Sequence, residues 1–591
     1  MKKIIISILT IASLLAGAEL FAGPARPRPF TVTQPDGSTI TIQMHGDEFH
    51  HWITDASGNR IERGEDGYFH AVTRDETAIA RKAAERRGSM NSKRVAAPRK
   101  SVSGTGDHFL VVLVSFKDKE FTKTAQNFSD LLNKPGYSDN GATGSVRDYF
   151  SDNSLGVFKP NFDVVGPVTV SRNANYYGAN DRYGDDQHAT LAFWEACQEI
   201  DGEVDFSDYD LDGDGYVDNI FFFYAGYSEA DGAAASTIWP HQWSFSEASY
   251  YDTGIGDLEF DGVTIESYAC SSEFEGTSGA KTAGIGSFCH EFAHVIGLPD
   301  FYDIDYEENG EGMGMLNYSL MDSGNYNNES RTPPYLTAIE RELLGWMEIT
   351  PWTGSGTRTV PGIQDNVAYY IDTPNDGEFF VFETRNGKGW DAKLIDDYEG
   401  HSTVSTGLLV YHVDMSSNKV SGRVTAQSLW EEWAINMYGN HQCCYVVAAD
   451  PEYYYYDEVL FAGSSNVRAF NADTDPAPLM WSGKDAGFGL YDIAFNGNEV
   501  TLKLISGTAD PLFAAGINCI ANPGQGLYAA GSEFALELTD SSNPPASVKW
   551  YFDGAEVSGK VILVSGEHVV NAVLTYGDGT TETLEQKLLA E

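Results

Sequence analysis

Gly286 to Asp303 reads GSFCHEFAHVIGLPDFYD, and the rest of the chain is best read outward from this stretch. It contains His290-Glu291-Phe292-Ala293-His294. On a helix, residues four apart share a face, so His290 and His294 stand one turn apart. Both imidazoles then reach one zinc ion. Glu291 sits beside a ligand and can take a proton from water held at the metal. Gly297 is suited to ending the helix in a sharp turn, and Pro299 discourages its resumption. That turn can return Asp300 to the same metal as a third ligand. Two histidines, one carboxylate and a water make a catalytic zinc site, whereas a structural site is closed by four protein ligands. The bland alternative is a pair of satisfied histidines in an ordinary helix. It leaves the conjunction of Gly297, Pro299 and Asp300 unexplained. Asp303 stays open between ligand alternative, acceptor behind the ligands and turn cap.

The motif HExxHxxGLPD, with a methionine downstream, resembles the secreted M6 metallopeptidases related to immune inhibitor A. These are zincins with a metzincin-like extended motif. The resemblance implies a zinc-binding protease, commonly calcium-binding and made as a zymogen. It places the zinc ligands at His290, His294 and Asp300 and the general base at Glu291. The third position is Asp where the common metzincin form has His. The family's methionine turn matches Ser319-Leu320-Met321-Asp322-Ser323-Gly324, with Met321 packing under the metal. Met313 and Met315 are rivals in the same Gly-rich region. Tyr318 is a candidate for transition-state support at the scissile carbonyl. Arg147 to Phe150, Ile238 to His241, Gly345-Trp346 and Gly407 to Asp414 extend the resemblance across Phe109 to about Ile505. His241, His412 and Asp414 are expected in structural or cleft roles, not as zinc ligands.

A second metal candidate precedes this region. Asp210, Asp212, Asp214 and Asp218 occupy positions 1, 3, 5 and 9 of a loop, with Gly215 at 6 and Tyr216 able to offer a carbonyl at 7. Hard oxygen ligands at this spacing suit calcium. Position 12 is Phe221, so the loop is not a standard EF-hand, and Asp205 or Asp208 is the expected completing acid. A solvated acidic turn is the competing reading.

The flanks give the organisation. The 591 residues suit several domains, and 86 acidic against 38 basic residues give a formal net charge of −48. Such a surface repels phosphate backbones, so no nucleic-acid partner is expected. Met1-Lys2-Lys3 followed by the apolar Ile4 to Ala18 reads as a signal peptide over 1–22. No later run is long enough to span a membrane. Residues 23–80 alternate between short strands and turns and read as a β-rich propeptide, the chain's own candidate inhibitor. It has no cysteine to cap a zinc, which leaves Asp47 as a latch candidate, with a plain hairpin turn as the competing reading. Eight basic residues fall within Arg81 to Lys100, so 81–104 reads as a linker open to processing. Phe109 to Phe116, FLVVLVSF, is a buried strand opening a mixed α/β catalytic domain over 105–360. Helices are expected at His188 to Ile200 and Tyr335 to Trp346. Residues 361–510 read as a β-rich domain on that core, and 519–591 as an Ig-like or PKD-like sandwich. Among six cysteines, Cys270 and Cys289 flank a Gly-rich loop and are candidates for a disulfide.

The fold expected is therefore multidomain: a zincin-like α/β core with a β-rich propeptide, a β-rich extension and a terminal β-sandwich. The function expected is an exported zinc endopeptidase, monomeric, with zinc and calcium as cofactors and proteins or peptides as substrates. The compartment is the medium, the cell surface or the periplasm. The rival is an adhesion or glycan-binding protein whose metals are structural and whose tail takes a surface target.

Overall fold

The computed structural model describes residues 25, 29–47, 50–64, 66–74, 79, 82, 105–252, 254–256, 259–305, 309–310, 312–394, 404–450, 459–463 and 465–506, with 517–519, 527–528, 533–538 and most of 545–590 in the tail. The segment 1–22 expected as a signal peptide, most of the basic stretch 81–104 and the run Tyr453 to Tyr456 fall outside them.

Residues 30–71 form an antiparallel meander of β1 (Phe30–Thr33), β2 (Thr39–Gly46), β3 (His51–Asp55), β4 (Arg60–Arg63) and β5 (Phe69–Ala71), in that order. Its turns are fixed by aspartates that accept backbone N–H groups: Asp36 from Ser38, Asp55 from Ser57 and Asn59, Asp66 from Tyr68. Its apolar face, with Ile42, Met44, Ile53 and Ile61, packs on Ala230 and Trp239 of the next region.

That region is built on β6 (Thr105–Ser115), β7 (Lys159–Thr169), β8 (Ile220–Tyr227), β9 (Gln242–Ser244) and β10 (Ser267–Phe274), ordered β7-β6-β8-β10-β9. All pairs are parallel except the edge pair β10 and β9. The continuous apolar runs follow from burial of both faces of the sheet. Phe109, Val111 and Leu113 of β6, with Phe221 and Phe223 of β8, enter one core. Leu110, Val112, Val114, Ile220, Phe222 and Tyr224 enter the other. Each fully buried phenyl contributes roughly 1.5–3 kcal/mol relative to exposure.

Five helices matter for the site: α1 (Ala125–Asn133), α2 (Val146–Asn153), α3 (Ala189–Ile200), α4 (Gly286–Val295) and α5 (Ala338–Leu343). Helix α3 packs in the second core; α1, α2, α4 and α5 pack in the first. Helix α5 is shorter than the expected Tyr335 to Trp346. Thr337 caps its start by accepting the Glu340 N–H, and Gly345, at φ +71°, follows its end.

This alternation corrects the expected Cys270–Cys289 disulfide. Both cysteines are free and buried. Cys270 points from β10 into the second core, while Cys289 on α4 lies in the first. The sheet stands between them, and a disulfide needs Cβ atoms about 3.5–4.5 Å apart.

A second sheet covers the helices. It runs β11 (Thr350–Pro351), β12 (Tyr369–Asp372), β13 (Glu378–Arg385), β14 (Gly407–Asp414) and β15 (Cys444–Val446), antiparallel after the first pair. Phe379, Val381, Leu409, Tyr411 and Val413 join the core that holds Phe288 and Phe292 of α4. The opposite face, with Phe380, Phe382, Leu408 and Val410, packs with residues of the three-stranded sheet Gly356–Pro361, Phe488–Phe495 and Glu499–Ser506. One core thus runs from Phe109 to Leu460. In the tail, strands between Ile517 and Ala590 form sheets of three and five strands.

Candidate metal centre and cleft

Helix α4 carries His290, Glu291 and His294, all buried. Its N-terminus lies so close to the following loop that a Cβ on Gly286 would stand 1.8 Å from the Asn325 carbonyl oxygen. Only glycine fits there. The helix ends at Val295, and Gly297 just beyond takes a φ of +111°, disfavoured for side-chain-bearing residues. The chain then turns back, and Asp300 meets both histidines.

The three ligand candidates converge. The Nε2 atoms of His290 and His294 are 3.3 Å apart. Asp300 Oδ1 lies 3.3 Å from the first and 3.5 Å from the second. Tetrahedral ligands about 2.0–2.1 Å from zinc stand about 3.3–3.4 Å from one another, so these edges suit that ion. The outer ring nitrogens agree. His290 Nδ1 is 2.9 Å from the Leu320 carbonyl oxygen, and His294 Nδ1 is 2.7 Å from that of Leu298. A carbonyl only accepts, so each neutral ring donates its proton there and turns a lone pair inward. Neither oxygen of the buried Asp300 carboxylate has a hydrogen-bond partner. Two lone pairs and an anion facing one point call for a cation. Without a metal, a proton serves: burial works against charge on His290, but Asp300 and Glu291 raise it to about 9. Burial and the neighbouring His290 hold His294 below its ordinary value. Asp300 also stays below its usual range: burial alone would raise it, and the histidines outweigh that.

Glu291 leaves this triad and faces a small cleft lined by Trp239, Pro240, Ser271, Ser272, Asn325 and Tyr326.

The immune inhibitor A peptidase M6 catalytic-domain family model matches residues 99–344. This segment is an M6 peptidase catalytic domain. The pre-pro-metalloprotease PrtV of Vibrio cholerae serotype O1 is 27% identical over 261 residues, covering 37% of this chain and 27% of that protein. Immune inhibitor A of Bacillus thuringiensis subsp. alesti is 23% identical over 282 residues, covering 41% of this chain and 40% of that one. The chain therefore spans less than half the length of these relatives. Crystalline OgpA from Akkermansia muciniphila superposes over 83% of this chain and 94% of its own at 9% identity and a TM-score of 0.24, too low to carry an argument.

Met321 of the M6 domain is fully buried, and its carbonyl accepts the Phe301 N–H at 2.8 Å, one residue beyond Asp300. The rival Met315 instead packs its sulfur 3.7 Å from Cys444 Sγ, and Met313 is only partly buried. Tyr318 is placed differently from its expected role. Its side chain lies fully in the main core and is not among the residues lining the Glu291 cleft; Tyr326 is. Asp303 is a turn cap: its carboxylate accepts the Asp305 and Gly312 N–H groups. Burial and the adjacent Asp305 push it up to about 9. His241 is held between the Trp239 carbonyl and Tyr268, His412 against Glu378, and Asp414 against His441. Asp47 accepts the His50 N–H and so caps its own turn.

The acidic loop is built otherwise. Asp210, Asp212 and Asp214 bring one carboxylate oxygen each within 4.8 Å of one another. Their oxygens also accept the loop's own N–H groups, those of Gly213, Asp214, Gly215 and Tyr216. Asp218 accepts the Leu211 N–H and stands outside the group of three. Asp205 caps Ser207 instead of joining the loop. The Tyr216 side chain is exposed.

Sequence reading missed the residues that hold the ligands in place. Leu298, Leu320 and Trp239 lie inside the quoted motifs but carried no role there, and Tyr326 of the cleft wall lies outside every motif.

Proposed function

We propose that this chain is an exported, zinc-dependent endopeptidase, acting on protein or peptide substrates. The observation that carries the reading is the convergence of His290, His294 and Asp300 beside a buried Glu291 that faces a cleft. Zinc, when bound by these three residues, polarises a carbonyl and acidifies a water. Glu291, facing the cleft, would take a proton from the attacking water and deliver it to the leaving amine nitrogen. Leu320 and Leu298 keep both imidazoles in the tautomer that presents Nε2. Asp300 supplies the anionic ligand. Tyr326, on the cleft wall, replaces Tyr318 as the candidate for supporting charge on the carbonyl oxygen.

The N-terminal sheet is the proposed propeptide. His51 of that sheet stacks on Trp239 at 3.9 Å between ring centres, and Trp239 also lines the Glu291 cleft. Arg63 donates to the Gly232 carbonyl, and Lys82 pairs with Asp181 and Asp185. The His51–Trp239 contact sets the module beside a wall of the cleft, which supports an intramolecular inhibitor released by cleavage in 81–104. The loop around Asp210 is proposed to take calcium, with Asp212, Asp214, Asp218 and the Tyr216 carbonyl. The tail is proposed as an Ig-like or PKD-like sandwich with a surface or glycan target.

A mixed peptide library tests the reading. Processed protein with one zinc per chain is expected to cleave it. Glu291→Ala should lower turnover about 10²–10⁴-fold while zinc and fold are kept. Equal turnover by the variant would refute the general-base role. No turnover by either protein, with zinc bound, would favour the adhesion or glycan-binding alternative.

A further inference from the structure

Glu340 lies fully buried at the third position of α5, and both its oxygens are engaged. Oε2 accepts the Thr337 N–H at 2.6 Å and hydroxyl at 2.8 Å, which caps the helix. Oε1 accepts the Ser319 hydroxyl at 2.6 Å and the Met321 N–H at 3.2 Å. Ser319 and Met321 flank Leu320, the residue whose carbonyl holds the His290 Nδ1 proton. The Met321 carbonyl in turn holds the Phe301 N–H, next to Asp300. One carboxylate therefore fixes the peptide that orients one ligand and steadies the loop of another.

We propose that Glu340 is a positioning residue for the metal centre, setting the ring orientation and tautomer of His290 through the Leu320 carbonyl. The inference rests on the metal reading given above. It goes beyond helix capping, because a cap needs only Oε2. The second sheet secures the same device. Glu383 accepts the Ala338 N–H at the start of α5. Arg385, paired with Glu383 and Asp391, donates to the Tyr318 carbonyl, immediately before Ser319. Sheet, helix start and metal floor are thereby joined by one polar path inside the core. Outer partners of metal ligands are typically worth 10–100-fold in affinity or activity.

The chemistry of Glu340→Gln isolates the effect. An amide has one acceptor oxygen. Turned to keep the cap at Thr337, it presents NH2 to the Met321 N–H, and donor meets donor. The proposal predicts that zinc leaves E340Q for a chelator about 10–100-fold faster than it leaves the parent protein. The visible absorption of the cobalt-substituted protein should shift, and kcat should fall with KM unchanged. Thr337→Ala, which removes only a capping hydroxyl, should lower the melting temperature with parental release rate and spectrum. E340Q with parental release and spectrum, whatever its melting temperature, would overturn the proposal and leave Glu340 a cap. A parent protein that binds neither zinc nor cobalt would instead overturn the metal reading, and the proposal with it. Should E340Q fail to fold, Ser319→Ala keeps the carboxylate and cap intact. It should speed release in the same direction by a smaller factor, and parental release there would count against the proposal.

Discussion

The molecule carries two candidate metal positions, and they are built on opposite plans. At the His290 centre, ligands come from a helix and the turn after it; Leu298 of that turn holds His294, and Leu320 of a later loop holds His290. Leu320, Leu298, Met321 and Glu340 all lie in the core, and the ligand triad is closed to solvent. In the Asp210 loop, the three clustered acids come from one short segment and hydrogen-bond that segment's own backbone. The first arrangement leaves buried charge that only a cation settles. The second can stand alone as a turn, and a cation adds to it. A metal should therefore be integral at one position and an increment at the other.

Four tests bear on that contrast, taken in order of expected effect. Asp300→Asn removes the anion from the buried centre. Zinc affinity should fall by more than the roughly 100-fold attached to outer partners, read by competition with a chelator. An unchanged affinity would break the contrast at its stronger end. Next, Asp212→Asn with Asp214→Asn should abolish any calcium-dependent rise in melting temperature and leave zinc content at parental level. Calcium at 100 times its dissociation constant would stabilise a parent that binds it by about 2.7 kcal/mol, and the double variant should show none of this. A smaller effect concerns the loop without its ion. Burial, with crowding by Asp212, Asp214 and Asp210, raises Asp218 to about 6. A carboxyl raised on folding binds its proton more tightly in the native state, so stability falls as pH climbs. In the chelator-treated protein that loss should run from about pH 4 to about 6 and be absent in Asp218→Asn. Hydrogen exchange across 210–218 at stepped pH would show it, and a flat profile in both proteins would contradict it. Least of all should dithiothreitol matter for Cys270 and Cys289. Melting should be the same with and without reductant, and a reductant-sensitive Cys270–Cys289 peptide by mass spectrometry would contradict the two-core placement.

The contrast also explains what could be read from sequence. His290 and His294 are four residues apart, and Gly297 and Asp300 follow at once, so the ligand set is local and helical periodicity exposes it. The buried strand at Phe109 to Phe116 was equally legible, because a fully apolar run has few other places to go. Glu340 lies 19 residues from Met321 and Arg385 lies 67 from Tyr318, and no local pattern ties them. The first pair joins a loop to α5, and the second joins that loop to the second sheet. Nothing in the sequence fixes where the Tyr318 side chain goes, and the short helix Leu316–Tyr318 turns it into the core. The cysteine pairing failed for a related reason. Gly-rich chain between two thiols gives freedom of approach, but the strand's alternation sends Cys270 to the far face of the sheet.

The core that runs past residue 344 redefines what is inherited and exchanged as a piece. Phe379, Val381, Leu409 and Tyr411 close over α4 from beyond the segment that the family model matches. A fragment stopped there would leave the back of helix α4 bare to water and the Tyr318 carbonyl without its arginine. The shared interior reaches Leu460, and the covering sheet packs in turn on strands that end at Ser506. Recombination or insertion that respects the matched segment but ignores the covering sheet would split one hydrophobic interior in two.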